Sequence, residues 1–267
     1  MGTPAYQRTA RAAALVAVVA VFVAGCAGGV DRAEDRDGSI PSAAPSPSSA
    51  PTASPSSDPG DDTEFDRAAR SIDDPASIWV VVNKLRPLNP IDYSPADLVT
   101  ADVAATNPAT VRAEVAEALV ALFAAAQSEA GIELQSLSAY RSLATQRTIY
   151  DSGVAANGVE FTDRFSARPG HSEHQTGLAV DLGVPSGQCA FDACFGELPA
   201  GIWLAENAHR FGFLLRYPEG AQPIVGFDYE PWHFRYIGVE LATEMQAQGV
   251  ATLEEFFDLP AAPDYVD

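Results

Sequence analysis

The chain has 267 residues and a formal net charge of −20, from 36 Asp and Glu against 16 Lys and Arg. Hydrophobic residues make up 47% of it, which excludes a wholly disordered chain. The acidic balance argues against a nucleic-acid-binding protein, which needs basic surface to meet phosphates, and against electrostatic docking on anionic lipid. The length suffices for one full-sized domain with a buried core, or for two small ones.

The first 25 residues have the pattern of an export signal. Arg8 and Arg11 precede an apolar run over residues 12–25, and the sequence VAGC at 23–26 resembles the bacterial lipobox. That resemblance implies cleavage before Cys26, lipidation of this cysteine and attachment to the outer face of the cell membrane. An uncleaved membrane-spanning anchor is the alternative, since an uncharged stretch of 19 residues approaches the about 20 that a span needs. Both interpretations place the remainder outside the cytoplasm.

Residues 26–63 are rich in Ser, Pro, Ala and Asp and contain no aromatic residue. Such a composition cannot bury enough apolar surface to offset the conformational entropy of the chain. We therefore expect an extended, disordered tether here, followed by a single folded domain over residues 64–267.

Hydrophobic patterning predicts both helices and strands in this domain. An apolar run at 78–82 predicts a strand, and the prolines of 83–90 predict a loop. Apolar residues recur on one face of 111–130, which predicts the clearest helix, ended by Gly131. The other predicted elements are strands at 132–140, 178–182, 213–217 and 233–237, and helices at 143–152, 203–211, 239–248 and after Thr252. This mixed order predicts an α+β domain with a mostly antiparallel sheet.

Cys189 and Cys194 lie five residues apart in the part of the chain expected outside the cytoplasm. An oxidising compartment favours a disulfide between them. A metal-binding pair is an alternative, but no second cysteine pair exists to complete a four-cysteine site. Free thiols also stay open, because the bridge needs a turn that brings the two Cα atoms within about 7 Å.

Two short segments carry the residue types of a catalytic zinc site, namely SEHQTGLAVD at 172–181 and EPWH at 230–233. Catalytic zinc commonly has three ligands from His and carboxylate side chains and an open fourth position. The expected Zn²⁺ ligands are His174, Asp181 and His233. Glu230 is then the general base for the zinc-activated water. Because residues 230 and 233 of a regular strand face opposite sides, Pro231 has to introduce a local kink.

These two segments, in this order, resemble the zinc D-alanyl-D-alanine carboxypeptidase family. It includes the vancomycin-resistance-type carboxypeptidases and belongs with the lysostaphin and hedgehog-type metallopeptidases. Weaker matches accompany them, including SAYRS at 138–142 and LRYPE at 215–219, and the resemblance covers about residues 79–257. It implies a hedgehog/D-Ala-D-Ala peptidase-like fold, bound zinc, and removal of the C-terminal D-alanine from peptidoglycan stem peptides.

The resemblance also implies roles for four further residues. Arg141 matches the family arginine that meets the substrate carboxylate or the oxyanion of the tetrahedral intermediate. Three residues match positions that line the substrate groove: Ser172, Tyr140 and Gln146. Structural alternatives are a salt bridge for Arg141, a turn cap for Ser172, core packing for Tyr140 and a solvated helix face for Gln146.

Several functional alternatives stay open at this point. D,D-cleavage of pentapeptides and L,D-cleavage of tetrapeptides both occur among relatives, and a D-Ala-D-Ala dipeptidase is a third possibility. A non-catalytic, zinc-containing lipoprotein that binds cell-wall peptides is the alternative from another class, although Glu230 favours an enzyme because a binder needs no base. A structural zinc site closed by His171 would also abolish catalysis. We expect a monomer.

Overall fold

The computed structural model describes residues 65–266. The predicted signal peptide, Cys26 with its predicted lipidation and the whole predicted tether (residues 26–63) lie outside the described residues. Within them the prediction of an α+β fold is confirmed, because helices flank antiparallel sheets of two and four strands. In this part of the chain no helix has the length and apolar character that a membrane crossing requires.

Residues 65–266 contain six strands and seven α-helices. The strands are β1 (Leu98–Thr100), β2 (Thr110–Arg112), β3 (Gln135–Ser138), β4 (Ala179–Gly183), β5 (Phe213–Leu215) and β6 (His233–Tyr236). The helices are α1 (Ala113–Ala130), α2 (Leu143–Asn157), α3 (Val159–Phe165), α4 (Pro199–Asn207), α5 (Gln222–Val225), α6 (Val239–Gln248) and α7 (Leu253–Phe256). Short 3₁₀ helices lie at Glu173–Thr176, Ala193–Glu197 and Ala208–Phe211.

The larger sheet has the strand order β3-β4-β6-β5, with every pair antiparallel. Strands β4 and β6 are therefore central, and Asp181 of β4 lies directly opposite His233 of β6. Residues directly opposite each other in an antiparallel pair present their side chains on the same face, with Cβ atoms about 4.5–5.5 Å apart. The ladder thus brings the two sequence segments together without any loop.

Helix α1 covers the core, as its periodicity predicts. Val115, Leu119, Leu122 and Ala126 are all fully buried along one face. The helix ends at Gly131, whose φ of 67° lies in the left-handed region that glycine adopts at little cost. It begins at Ala113 rather than 111 because residues 110–112 pair with β1.

The predicted strand at 78–82 is wrong. The segment is buried, as its apolar character requires, but no strand pairs with it. A side chain binds its backbone instead: Arg235 Nη2 donates to the carbonyls of Ile78 at 3.0 Å and Val80 at 2.7 Å. A buried backbone needs hydrogen-bond partners. The guanidinium supplies donors for these carbonyls, and the N–H of Val81 donates to the carbonyl of Ile72 at 3.0 Å.

The predicted disulfide between Cys189 and Cys194 is confirmed, with Cα atoms 5.6 Å apart. Asp192, inside the closed loop, accepts a hydrogen bond from the backbone N–H of Cys194 at 2.9 Å. The loop holds Phe191 against Trp232, with ring centroids 6.1 Å apart. The covalent loop is therefore joined to the segment that leads into β6.

Candidate active site

Three buried side chains form the centre of the site: His174, Asp181 and His233. Their candidate ligand atoms all lie within 4.8 Å of one another. Asp181 Oδ2 is 3.3 Å from His174 Nε2, and Asp181 Oδ1 is 3.2 Å from His233 Nδ1. Tetrahedral ligands with metal bonds of about 2.0–2.2 Å are separated by about 3.3–3.6 Å. The spacing of the three side chains therefore fits a zinc ion.

His174 is held with a free lone pair toward this centre. It lies in the 3₁₀ turn that ends at Gly177, where φ is 67°. Its Nδ1–H donates to the carbonyl of Ala139 at 2.7 Å, so Nε2 is unprotonated when the ring is neutral. Burial, with a contribution from Arg141, lowers the pKa of His174 to about 4 and keeps the ring neutral. Both His174 Nε2 and Asp181 Oδ1 are buried without a hydrogen-bond partner, which is expected of atoms that bind an ion.

The surroundings favour positive charge at this centre. Burial disfavours a charged His233, but the carboxylates of Asp181 and Glu173 outweigh it and raise the pKa of His233 to about 9. Burial likewise raises the pKa of Asp181, yet His174 and His233 hold it well below its usual range. An environment that attracts a proton to His233 also attracts a metal cation.

Glu230 lies beside the three candidate ligands without being one of them. Its Oε2 is 3.7 Å from His233 Nδ1. The predicted kink is present, because β6 begins only at His233 and a turn at Pro231 and Trp232 precedes it. Burial raises the pKa of Glu230 to about 8. A carboxyl group with a pKa near neutrality can both accept a proton and return it.

Arg141 also borders the centre, with Nη2 3.9 Å from Asp181 Oδ2. Its Nη1 donates to Gln146 Oε1 at 3.1 Å. Gln146 is fully buried, so it is not on a solvated helix face, and its Nε2 donates to the carbonyl of Ala167 at 2.7 Å. Gln146 is not among the residues that line the cleft described next; in this structure it fixes Arg141.

A cleft of about 730 Å³ opens over the centre. Its floor contains Arg141, Asp181, Glu230 and His233. Its walls are strongly aromatic and comprise Phe161, Phe165, Phe191, Tyr229 and Trp232. Such a cleft combines an apolar wall for binding with a few convergent polar groups for chemistry.

The other two residues that the resemblance assigns to the substrate groove, Ser172 and Tyr140, have different surroundings. Ser172 lines a small inner cavity of about 30 Å³ together with the metal-site histidines. Tyr140 lines neither cavity; its hydroxyl lies 2.9 Å from Ser94 Oγ. His171 is also outside the centre, because its Nδ1 donates to the carbonyl of Asn83 at 2.8 Å. Over residues 65–266 the candidate metal-binding group does not include His171, so this histidine does not close the site.

The structure adds two residues that the sequence patterns did not single out. Tyr217 lines the inner cavity, and its ring centroid is 4.7 Å from that of His233. Glu173 Oε2 is 3.3 Å from His233 Nε2, on the far side of the ring from the centre. The available signal for Glu173 was its place between Ser172 and His174, since an acid inside a buried motif requires partners.

Comparison with known proteins finds relatives that are named as carboxypeptidases. Residues 108–239 match the VanY family model, described as D-alanyl-D-alanine carboxypeptidase. The putative carboxypeptidase YodJ of Bacillus subtilis (strain 168) is 39% identical over 193 residues, which is 70% of this chain and 70% of YodJ.

Two solved structures are similar in both sequence and fold. The LdcB LD-carboxypeptidase superposes with a TM-score of 0.64 at 40% identity, over 69% of this chain and 87% of LdcB. A point mutant of the vancomycin resistance D,D-pentapeptidase VanY, in complex with Zn(II), gives a TM-score of 0.56 at 33% identity, over 67% of this chain and 98% of VanY.

Proposed function

Because the chain belongs to the D-alanyl-D-alanine carboxypeptidase family and is a carboxypeptidase, we propose that it uses zinc to remove the C-terminal D-alanine from peptidoglycan stem peptides. The observation that carries this proposal is the convergence of His174, Asp181 and His233 on one buried centre. Two orphaned acceptor atoms in that centre and the zinc-bound relative support the choice of metal.

The two histidines and Asp181 would hold the ion. Zinc, when bound, lowers the pKa of its water toward about 7 and polarises the scissile carbonyl. Glu230 accepts a proton from the water whose oxygen attacks the carbonyl carbon. As the C–N bond breaks, Glu230 returns that proton to the nitrogen of the departing D-alanine. Its place 3.7 Å from His233 Nδ1 supports this role, since it adjoins the centre without being one of the candidate ligands.

Arg141 supplies the positive charge for the substrate. Its guanidinium is anchored by Gln146 on one side and lies 3.9 Å from Asp181 on the other. A fixed planar fork suits a carboxylate, and the terminal carboxylate of the peptide has to lie next to the scissile bond. The aromatic walls of the cleft then bind the apolar parts of the preceding residues.

A direct test uses purified residues 64–267 with one equivalent of zinc. We expect release of D-alanine from a synthetic stem peptide, measured by mass spectrometry, and loss of release when a chelator removes the metal. A folded, zinc-loaded protein that releases nothing from either a pentapeptide or a tetrapeptide would overturn the proposed function. The same outcome would support the alternative of a peptide-binding lipoprotein.

The preferred length of the stem peptide decides between two forms of this activity. The structural relatives include both an LD-carboxypeptidase and a D,D-pentapeptidase. Parallel digests of a pentapeptide, a tetrapeptide and free D-Ala-D-Ala assign the chain to D,D-, L,D- or dipeptidase activity in one experiment.

We also propose that the enzyme acts outside the cytoplasm, held to the membrane by a lipid on Cys26 and separated from it by the tether. The lipobox-like sequence before Cys26 supports this location. The Cys189–Cys194 disulfide supports it independently, because disulfides persist in oxidising compartments. Mass spectrometry of the membrane fraction tests it through the mass of the N-terminal peptide, with Cys26→Ser as the variant that should be released.

A further inference from the structure

A cluster of four fully buried charged side chains lies directly behind the candidate metal centre. It comprises Glu173, Arg216, Arg235 and Glu254. Glu173 Oε1 accepts from Arg216 Nε at 2.8 Å and from Arg235 Nη1 at 2.9 Å. Arg216 is also paired with Glu254, at 2.7 and 2.9 Å. Two positive and two negative charges balance, which is the condition under which such groups tolerate complete burial.

The cluster uses only one oxygen of Glu173, and the other reaches the metal centre. Glu173 Oε2 is 3.3 Å from His233 Nε2. A carboxylate can only accept a hydrogen bond, so the proton has to be on Nε2 of His233. The neutral ring in this tautomer carries its lone pair on Nδ1, the atom that faces Asp181 at 3.2 Å.

We propose that Glu173 is a positioning residue, which fixes the tautomer and the ring orientation of His233 so that Nδ1 is available as a metal ligand. The two arginines hold the carboxylate in place from behind, so the orientation of His233 is set by the buried cluster. The inference rests on the proposed zinc site and adds a residue to it. Partners of this kind change metal affinity when they are removed, typically by about 10- to 100-fold.

Glu173→Gln is the informative variant because it is nearly isosteric. Its single oxygen is required by Arg216 and Arg235, which leaves the amide NH₂ facing His233 Nε2. The amide N–H of the new side chain and the N–H of His233 Nε2 are then two donors that face each other. This repulsion is relieved only if the His233 proton moves to Nδ1 or the ring rotates. We expect the zinc dissociation constant to rise by about 10- to 100-fold, measured by competition with a chromophoric chelator.

Glu254→Gln provides a matched control. Glu254 is as buried as Glu173 and pairs with the same Arg216, but its hydrogen bonds are to Arg216 and Asn83 rather than to His233. Both variants remove one negative charge from the cluster, so both lower the thermal unfolding temperature of the metal-free protein. Only Glu173→Gln is expected to weaken zinc binding.

The outcomes separate this inference from the proposed function. A wild-type protein that binds no zinc refutes the proposed function, whereas unchanged zinc affinity in folded Glu173→Gln refutes only the positioning role. Equal loss of affinity in both variants also refutes it, because the effect would then be general destabilisation. If Glu173→Gln does not fold, Glu173→Asp replaces it as the test variant. Its shorter side chain keeps the negative charge beside the two arginines but no longer reaches His233. A zinc affinity of Glu173→Asp equal to that of the wild type would overturn the inference.

Discussion

Replacement of Gln146 by leucine tests whether a buried amide controls the position of Arg141, the arginine proposed to bind the substrate carboxylate. The variant keeps the volume of the side chain but removes an acceptor for Arg141 Nη1 and a donor to the carbonyl of Ala167. A hydrogen bond to a charged group contributes about 1.5–3 kcal/mol and a neutral one about 0.5–1.5 kcal/mol. We expect a loss of about 3 kcal/mol in the free energy of unfolding, which lowers Tm by about 6–12 °C in a domain of this size.

We expect Gln146→Leu to weaken substrate binding through its effect on Arg141. Without its anchor the guanidinium loses the fixed position that suits the substrate carboxylate, and we expect KM to rise about tenfold, equivalent to about 1.4 kcal/mol. Leu241→Ala is a suitable control, because Leu241 is fully buried in α6 and does not line the cleft. A truncation of this kind costs about 2–5 kcal/mol.

Steady-state kinetics with a stem peptide, together with thermal unfolding of both variants, provide the measurement. Leu241→Ala should lower Tm and leave KM unchanged, whereas Gln146→Leu should change both. A KM within twofold of wild type in Gln146→Leu, despite the lower Tm, would refute the idea that Gln146 acts through Arg141.

Three further predictions concern single charged residues. Glu230→Gln should lower kcat by about 10²- to 10⁴-fold yet bind zinc with wild-type affinity in a chelator competition, because Glu230 is a proton acceptor and not a ligand; a parallel loss of zinc would contradict this. Arg141→Gln should raise KM more than it lowers kcat, and a peptide with an amidated C-terminus should bind both proteins equally weakly; a pure kcat effect would assign Arg141 to the oxyanion instead. Burial raises the pKa of Glu254, but Arg216 lowers it more, to below its ordinary value of 4.5. Ionised Glu254 therefore contributes its full stabilisation of the folded protein above pH 4.5. This contribution is lost as the pH falls through the lower pKa that Glu254 has in the folded state. Urea denaturation should accordingly show the gap in stability between wild type and Glu254→Gln narrowing below pH 4.5, and a constant gap would contradict the assignment.

The candidate ligands could be predicted from sequence because their chemistry is local. His174 and Asp181 share one short segment, and Glu230 and His233 share another. The residue types restrict the possible roles before any fold is known. What the pattern could not supply is the direction of each ring, which depends on distant groups such as the carbonyl of Ala139.

The buried cluster behind the centre was inaccessible to such reasoning. Arg216 and Arg235 are charged residues in apolar surroundings, and nothing in their neighbourhood in sequence identifies Glu173, 43 and 62 residues away, as their partner. The erroneous strand at 78–82 has the same origin. An apolar run predicts burial reliably, but it does not reveal whether a strand or the guanidinium of Arg235 will satisfy the backbone.

The hydrophobic pattern did not predict helix α3, because the apolar residues of this helix do not pack against the core. Its apolar residues Val159, Phe161 and Phe165 are exposed rather than buried against a core. Two of them, Phe161 and Phe165, line the cleft instead. Hydrophobic periodicity reveals helices that pack a face against the core, so a helix whose apolar face borders a substrate cleft gives no such signal.

If zinc binds as proposed, the pairing of Asp181 with His233 across β4 and β6 also makes metal binding depend on correct folding. A slip of one residue in this ladder would turn one of the two side chains to the opposite face and abolish the centre. A molecule that takes up zinc has therefore paired these strands correctly, while a misregistered molecule of equal compactness has not. With zinc bound at the proposed site, the zinc stoichiometry of a preparation would count its natively folded molecules, and added zinc would draw the population toward the native register by mass action.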